Sequence, residues 1–397
     1  MKNTLLFFLL SCSFLYAQKA KPKSYFPSPT NWQQKTPGEL GLKSEGIEAV
    51  RAYAIAHESK NSRILKDDQA TSFGREPFGH IVGPMPDRGE PTGIIIHKGY
   101  IVSSWGEPLR CDMTHSVTKS FLSTVVGVAI DSGLIKSVHD VVYPYIPATE
   151  VYDPQEGKGP SQLIDLFGTP HNKTITWNDL LRQTSDWEGT LWGKPEWADR
   201  PDSSRVDWKT RERKKSGSVY EYNDVRVNAL ALAATNIWRK PLPQVLKQKI
   251  MDPIGASGTW RWTGYRNAWI VLDGQAVQSV SGGGHWGGGM LINAYDMARF
   301  GLLNLHRGRW NGKQLISENW VKQALTPTPA KPDYGFMNWF LNTDKKLLPS
   351  APATAFMHVG NGANIIYVDP EHEIVMVIRW IDYKTLDGLV KELQKAF

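Results

Sequence analysis

Cysteine is almost missing from this 397-residue chain, which has only Cys12 and Cys111. Cys12 falls in an N-terminal stretch that reads as a cleavable leader. Cleavage would leave Cys111 alone, which excludes an intrachain disulfide, and nothing suggests a metal–thiolate site. Long apolar runs are also missing; none reaches the ~18 residues of a spanning helix, so no transmembrane helix is expected. The histidines show no H-E-x-x-H or similar spacing, and no metal is predicted. Charge of one sign is in short supply: 46 Lys and Arg against 39 Asp and Glu give a formal +7. Without a helix-turn-helix, zinc-finger or RNA-binding signature, nucleic acid is not an expected partner. The G-x-S-x-G elbow of α/β-hydrolases is absent, which argues against that fold. The glycine-rich "SGGGHWGGGM" (281–290) lacks the Gly-Lys-Ser/Thr ending of a phosphate-binding loop. No internal repeat or low-complexity tract is visible, and no cofactor is predicted.

The leader "MKNTLLFFLLSCSFLYAQKAKPKS" carries Lys2, a short apolar core and small or neutral residues up to Ala17. That pattern predicts a signal peptide over residues 1–17 and a secreted or periplasmic protein. The rival reading takes "LLSC" as a lipobox, with Cys12 the lipidated anchor. The densest basic run, "KTRERKK" (209–215), reads as a solvated loop or as a surface that attracts anionic substrate. Trp187, Trp192 and Trp197 fall together in "DWEGTLWGKPEW", where they line a cleft or pack the core.

Hydrophobic periodicity predicts an amphipathic helix over 44–59 and a β-hairpin over 93–106, turning at "HKG". A helix starts near Ser116. Its apolar residues Phe121, Leu122, Val125, Val126, Ala129 and Ile130 cover most of its circumference, so it should be buried, with Gly133 as its C-cap. Residues 151–324 read as a helical region with long loops. Three β-runs return in "ATAFMHVG", "ANIIYVD" and "IVMVIRW", the last two joined by "PEHE", and a helix closes the chain. The expected fold is α/β (α+β): one antiparallel sheet of about five strands flanked by helices. Its parts are 18–150 and 325–397, with the mainly helical 151–324 inserted between them.

Ser116 and Lys119 form the only Ser-x-x-Lys of the chain, in "HSVTKS". At the first turn of a helix the Ser116 N–H is a free donor suited to an oxyanion. The Lys119 side chain lies on the same face one turn on. Burial and the positive helix end both disfavour its ammonium form, moving the amine toward use as a base. That is how a serine nucleophile is activated. A capping serine followed by a snorkelling lysine fits these residues equally well.

Further along, "ITWNDLLRQTSDWEG", "YEYNDVRVNALAL", "IMDPIGASGTWRW", "GGGMLINAYDMARFG" and "HVGNGANIIYVDPEHEIVMVIRW" follow the Ser116 helix in order. Together these segments resemble the serine β-lactamase/D-Ala-D-Ala-peptidase superfamily, over about residues 90–380. The resemblance is to the class C-like branch that includes esterases, D-aminopeptidases and 6-aminohexanoate-dimer hydrolase. It implies a β-lactamase/transpeptidase-like fold with Ser116, Lys119 and Tyr222 as catalytic residues. Tyr222 would exchange protons with nucleophile and leaving group.

The chain departs from the family pattern at two motifs. In Tyr222-Asn223-Asp224 an aspartate stands where the family's Tyr-x-Asn has its asparagine. Either Asp224 approaches Lys119, favours its charged form and shifts base duty to Tyr222, or Asn223 supplies the amide and Asp224 only caps a helix. In place of Lys-Thr-Gly stands His358-Val359-Gly360. Gly360 permits a substrate to lie close along the strand, and the Asn361 N–H would be the second oxyanion donor. Losing Lys and Thr removes the grip on a penicillin carboxylate. His285 and Trp286, in the glycine-rich loop, are candidate substrate contacts.

The first expectation is therefore an exported, cofactor-free serine hydrolase of a small ester or amide. The alternatives are a D-Ala-D-Ala carboxypeptidase or D-aminopeptidase on cell-wall peptides, and a non-catalytic binding or sensor module of the same fold. The expected partner is a small-molecule or short-peptide substrate.

Overall fold

The computed structural model describes residues 24–152, 162–201 and 210–397. The segment read as a leader, with Ala17 and Cys12, lies outside the described residues. Helix α1 (Ser44–Ala56) precedes the hairpin of β1 (Thr92–His97) and β2 (Tyr100–Trp105), then helix α2 (Thr118–Asp131). The middle holds α3 (Asp224–Trp238), β3 (Arg261–Leu272), β4 (Gln275–Val280), β5 (Gly289–Ile292) and α4 (Ala294–Leu305). The chain ends with β6 (Trp339–Leu341), β7 (Phe356–Gly360), β8 (Asn364–Asp369), β9 (Ile374–Arg379) and α5 (Leu386–Gln394).

Six strands form one antiparallel sheet in the order β6-β7-β8-β9-β1-β2. The strand beyond the expected five is β6, three residues long and at the edge. Side chains alternate across β9 as the pleat requires. Ile374, Met376 and Ile378 pack with α1 (Ile47, Val50, Ala54) and α5 (Leu386, Leu389, Val390, Leu393). Val375 and Val377 face the opposite way, into the core shared with α2 and α4. Both faces are thus covered, which is why "IVMVI" is continuously apolar rather than alternating. Gly301 lets α4 lie flat on the sheet: a Cβ there would come 2.6 Å from Val375 Cγ1 and 2.7 Å from Ile366 Cγ2.

The middle region is less helical than its sequence suggested. The twelve-residue β3 pairs antiparallel with β4 through Asp273-Gly274, both with positive φ (53° and 76°). Asp-Gly at a two-residue turn is a strong hairpin signal. The strand around it was hidden because its burial alternates, leaving Arg261, Arg266 and Gln275 among the apolar residues. The short strand β5 pairs with both β3 and Asp112–Met113, so the chain entering the Ser116 turn is anchored to this second sheet.

The "KTRERKK" run is not simply solvated where the structure describes it. Arg211 reaches Asp186 and Glu221, and Arg213 reaches Glu188 at 3.2 Å and Glu196 at 2.7 Å. Arg226 of α3 shares Asp186 and Glu196, at 2.8 Å each. Trp187 and Trp192 belong to the core. Among the described residues no helix is long and apolar enough to cross a membrane.

Candidate active site

Ser116 sits in a single 3-10 turn, His115–Val117, that runs directly into α2. His115 before it has φ 47°, a left-handed conformation that few non-glycine residues adopt. The Thr114 N–H donates to the Met290 carbonyl of β5 at 2.9 Å, fixing the turn from behind. As its periodicity predicted, α2 is buried on nearly every side. Ser116 itself remains partly exposed at the helix foot, while Lys119 is 0 % exposed.

The Lys119 amine donates to Ser116 Oγ at 2.8 Å and to the Gly282 carbonyl at 3.3 Å. Its third contact is Asp224 Oδ1, at 2.7 Å. Of the two alternatives, the structure places Asp224 against Lys119; Asn223 supplies no amide to the site, being fully buried with Nδ2 donating to the Glu196 carbonyl at 2.7 Å, and the helix cap expected of Asp224 falls to it. Asn223 is the N-cap of α3, its Oδ1 accepting from the N–H groups of Val225 and Arg226 at 3.0 and 3.1 Å. Asp224 turns inward to Lys119. Burial opposes its negative charge, but Lys119, Arg200 and His285 hold its carboxyl well below the usual carboxylate range.

The Tyr222 phenol donates to Asn338 Oδ1 at 3.5 Å, with Ser116 close enough to oppose the upward shift of the phenol. Lys119 Nζ lies 5.1 Å from the centre of its ring. Burial first, and the Asp224 charge second, push the phenol above its ordinary value, so the resting residue is a neutral proton donor.

On the far side, β7 carries Gly360 against the Ser116 turn. A Cβ on Gly360 would fall 2.2 Å from the Thr114 carbonyl oxygen and 3.2 Å from the Ser116 nitrogen, so no other residue fits without a shift. The exposed Asn361 follows at the start of the next turn, its carbonyl accepting from Asn364 Nδ2 at 2.8 Å.

Three of the candidate substrate contacts lie elsewhere. His358 is fully buried among Phe300, Trp339 and Phe356, with Nε2 accepting from Asn304 Nδ2 at 3.1 Å. It points from β7 into the core because its register pairs it with Trp339 and Ile366. Trp286 is likewise buried completely, with Lys194 Nζ over its ring at 5.1 Å. His285 is 4 % exposed and faces carboxylates behind Asp224.

The glycines around His285 serve close packing. A Cβ on Gly283 would meet the His115 carbonyl at 2.1 Å, and one on Gly284 would meet Asp224 Cγ at 2.8 Å. The loop presses on both the nucleophile turn and the counter-ion of Lys119, and only glycine permits that approach.

Sequence reasoning passed over Asn338, Gln183, Asp199, Arg200 and Glu76. Asn338, at φ 63°, accepts from Tyr222 and donates from Nδ2 to the Val359 carbonyl at 2.6 Å, joining the phenol to β7. Gln183 accepts the Asn223 N–H at 2.8 Å and donates to Tyr334 Oη at 2.9 Å. Tyr334 Oη in turn accepts the Asn338 N–H at 2.8 Å. Asp199 accepts from the Asp224 N–H, and burial pushes its carboxyl up to about 6.

Buried neutral histidines make the fold sensitive to acid. Burial lowers His358 to about 3 and both His97 and His115 to about 4. Below pH ~6.5 the unfolded chain binds protons at these positions and the folded chain does not, so stability falls with pH. Asp199 and Asp296, both raised by burial, bind protons in the folded state and offset part of this. A net loss on the order of 1–3 kcal/mol is expected between pH 6 and 5. Urea titrations at the two pH values check it, and equal midpoints would contradict it.

A sequence model of the family described as Beta-lactamase matches residues 113–380. The 6-aminohexanoate-dimer hydrolase of Paenarthrobacter ureafaciens is 27% identical over 235 residues, covering 57% of this chain and 54% of that protein. The chain therefore matches about half the length of that curated relative. Among solved structures, a family VIII carboxylesterase superposes with a TM-score of 0.54 at 16% identity, covering 90% of this chain and 98% of that one. A putative β-lactamase from Bacteroides dorei gives 0.54 at 13% identity, over 78% and 93% of the two chains. At these identities the likeness establishes the fold, an antiparallel sheet flanked by helices.

Proposed function

Because the matched residues make up most of the sequence, the chain belongs to the β-lactamase family, and from that premise we propose an exported serine hydrolase of small esters or amides. The observation that carries this reading is the contact of Lys119 with Ser116 Oγ at 2.8 Å, with the Tyr222 ring centred 5.1 Å from the same amine. Ser116 Oγ bonds to the acyl carbon while its proton passes to Lys119. As the bond from carbonyl to leaving group breaks, the Tyr222 phenol gives the departing alcohol or amine a proton. Lys119 can then restore the phenol. Water repeats the sequence on the acyl-enzyme and releases the acid. The N–H groups of Ser116 and Asn361 hold the oxyanion. The names of the curated relative and of the carboxylesterase support amide or ester substrates.

Penicillins fit this site poorly. The third-motif Lys and Thr are replaced by His358, buried and uncharged at neutral pH, and by Val359, which has no hydroxyl. Short-chain p-nitrophenyl esters should be cleaved with an initial burst of nitrophenol close to one per chain. Benzylpenicillin and nitrocefin should be turned over slowly or not at all. A kcat/KM for benzylpenicillin of ~10⁴ M⁻¹s⁻¹ or above would contradict the reading of the third motif, and a protein inert to every ester and amide would contradict the hydrolase reading itself.

A further inference from the structure

Resting on that reading, we propose that His285 is a positioning residue for proton transfer: as an imidazolium it shares the Asp224 carboxylate with Lys119, so that Lys119 is free to take the Ser116 proton. The division of Asp224 is plain in the geometry. Its Oδ1 lies 2.7 Å from Lys119 Nζ, while its Oδ2 lies 3.1 Å from both His285 Nδ1 and Arg200 Nη1. Lys119 and Asp224 are both almost wholly buried, at 0 % and 1 % exposed. A carboxylate with no other partner would hold the lysine as an ammonium, unable to accept a proton from Ser116. The two cations on Oδ2 weaken that hold. Glu76 and Asp199 in turn offset those two cations, so the cluster keeps the negative charge that stabilises the ammonium once the serine has given up its proton.

The charge on His285 follows from its surroundings. Nδ1 faces Asp224, and Nε2 faces Glu76 Oε2 at 3.1 Å and Asp199 Oδ1 at 3.5 Å. Each ring nitrogen lies 3.1 Å from a carboxylate oxygen, Nδ1 from Asp224 and Nε2 from Glu76, an ion-pair arrangement that favours the doubly protonated ring although neither contact is directed as a hydrogen bond. Burial disfavours the charge, but Asp224, Glu76 and Asp199 raise the ring above its ordinary value. The groups around it come from separate elements: Glu76 after Phe73–Arg75, Asp199 and Arg200 in the loop before α3, and Asp224 on α3 itself. Lys119 and the neutral His115 act from the α2 side, and Lys194 lies beyond Trp286. Phe73 stacks on the ring, with centroids 4.4 Å apart and planes 18° apart, and the missing side chain of Gly284 leaves room for Asp224 beside it.

Glu76, Asp199 and His285 also bring three ligand atoms within 4.8 Å of one another, a spacing that could hold a metal ion. Arg200 Nη1 already stands 2.7 Å from Asp199 Oδ1 and would repel a divalent cation, so the structure favours a proton at this place.

The test is the pH dependence of Ser116 acylation, read by a fluorophosphonate probe with peptide mapping and by kcat/KM on a p-nitrophenyl ester. His285→Gln keeps hydrogen-bonding groups and removes the charge. Its acidic limb should move to higher pH by about one unit, with KM little changed and the plateau rate at high pH largely retained. Glu76→Gln, at the edge of the cluster, should move the limb the same way by less, and it serves as the test if His285→Gln does not fold. In the intact protein, ¹⁵N NMR of His285 should show both ring nitrogens protonated at pH 7. Superimposable wild-type and variant profiles, or a neutral His285 at pH 7, would overturn the proposal. So would activity lost on dialysis against EDTA and restored by zinc. A wild-type protein in which Ser116 does not label at all would instead overturn the hydrolase reading.

Discussion

Ser116→Ala is expected to lower ester turnover by ~10⁴-fold or more while leaving the melting temperature almost unchanged. Ser116 Oγ accepts from Lys119 at 2.8 Å and lies beside the Tyr222 phenol, so its hydroxyl is where their proton chemistry meets the substrate. Without it, Lys119 and Tyr222 have no oxygen to activate, and the remaining N–H donors can only polarise a bound carbonyl. Such residual stabilisation explains why catalysis over water rarely vanishes when one member of a catalytic group is removed. The fold should tolerate the change because Ser116 is partly exposed at the foot of α2 and no side-chain cap hydrogen bond is made at this helix start. Fluorophosphonate labelling, peptide mapping and a thermal melt check the three parts together. Labelling of a different serine, or turnover within tenfold of wild type, would remove Ser116 from the mechanism.

The sequence was most readable where one local signal sufficed. The helical pattern "AYDMARFGLLNL" is α4 to the residue, and the hairpin expected over 93–106 differs from the observed one by one residue at each end. Ser116, Lys119 and Tyr222 sit in short motifs whose spacing survives in the chain, so their candidacy required no fold. The hairpin β3–β4 escaped because its half-buried strands mix arginine and glutamine with tryptophan, although Asp273-Gly274 marked its turn. The cluster of Glu76, Asp199, Arg200, Asp224 and His285 was illegible for a stronger reason. Its members come from segments far apart in sequence, and nothing in the periodicity of any one segment records their approach. His358 shows the converse error: its place in a motif suggested a substrate contact, but the pleat of β7 turns it toward Phe300 and Asn304.

Asp224→Ala is expected to destabilise the protein by about 3–5 kcal/mol at neutral pH, the usual cost of leaving buried charges without their partner. Asp224 faces Lys119, Arg200 and His285, and its loss leaves those cations with only Asp199 and Glu76 to balance them. Some relief should come from Asp199, whose carboxyl is raised partly by the Asp224 charge and would ionise more readily without it. For a chain of this size the cost corresponds to a melting temperature lower by roughly 4–6 °C. Its pH dependence identifies the cause. The folded-state value of Asp224 is depressed, so its contribution is present above the unfolded value near ~3.9 and disappears as pH falls through the folded value. The gap between wild type and variant should therefore be widest near pH 7 and close only in strong acid. Asp224→Asn restores the residue type found at this place in the resembling family and keeps the shape, so it should cost less than alanine. It would still leave the cations without a counter-charge. Urea denaturation of both variants at pH 7 and pH 4 measures all of this. If Asp224→Ala were as stable as wild type at pH 7, the Lys119–Asp224 pair would not hold the fold together, and the charge-sharing role assigned to His285 would lose its physical basis.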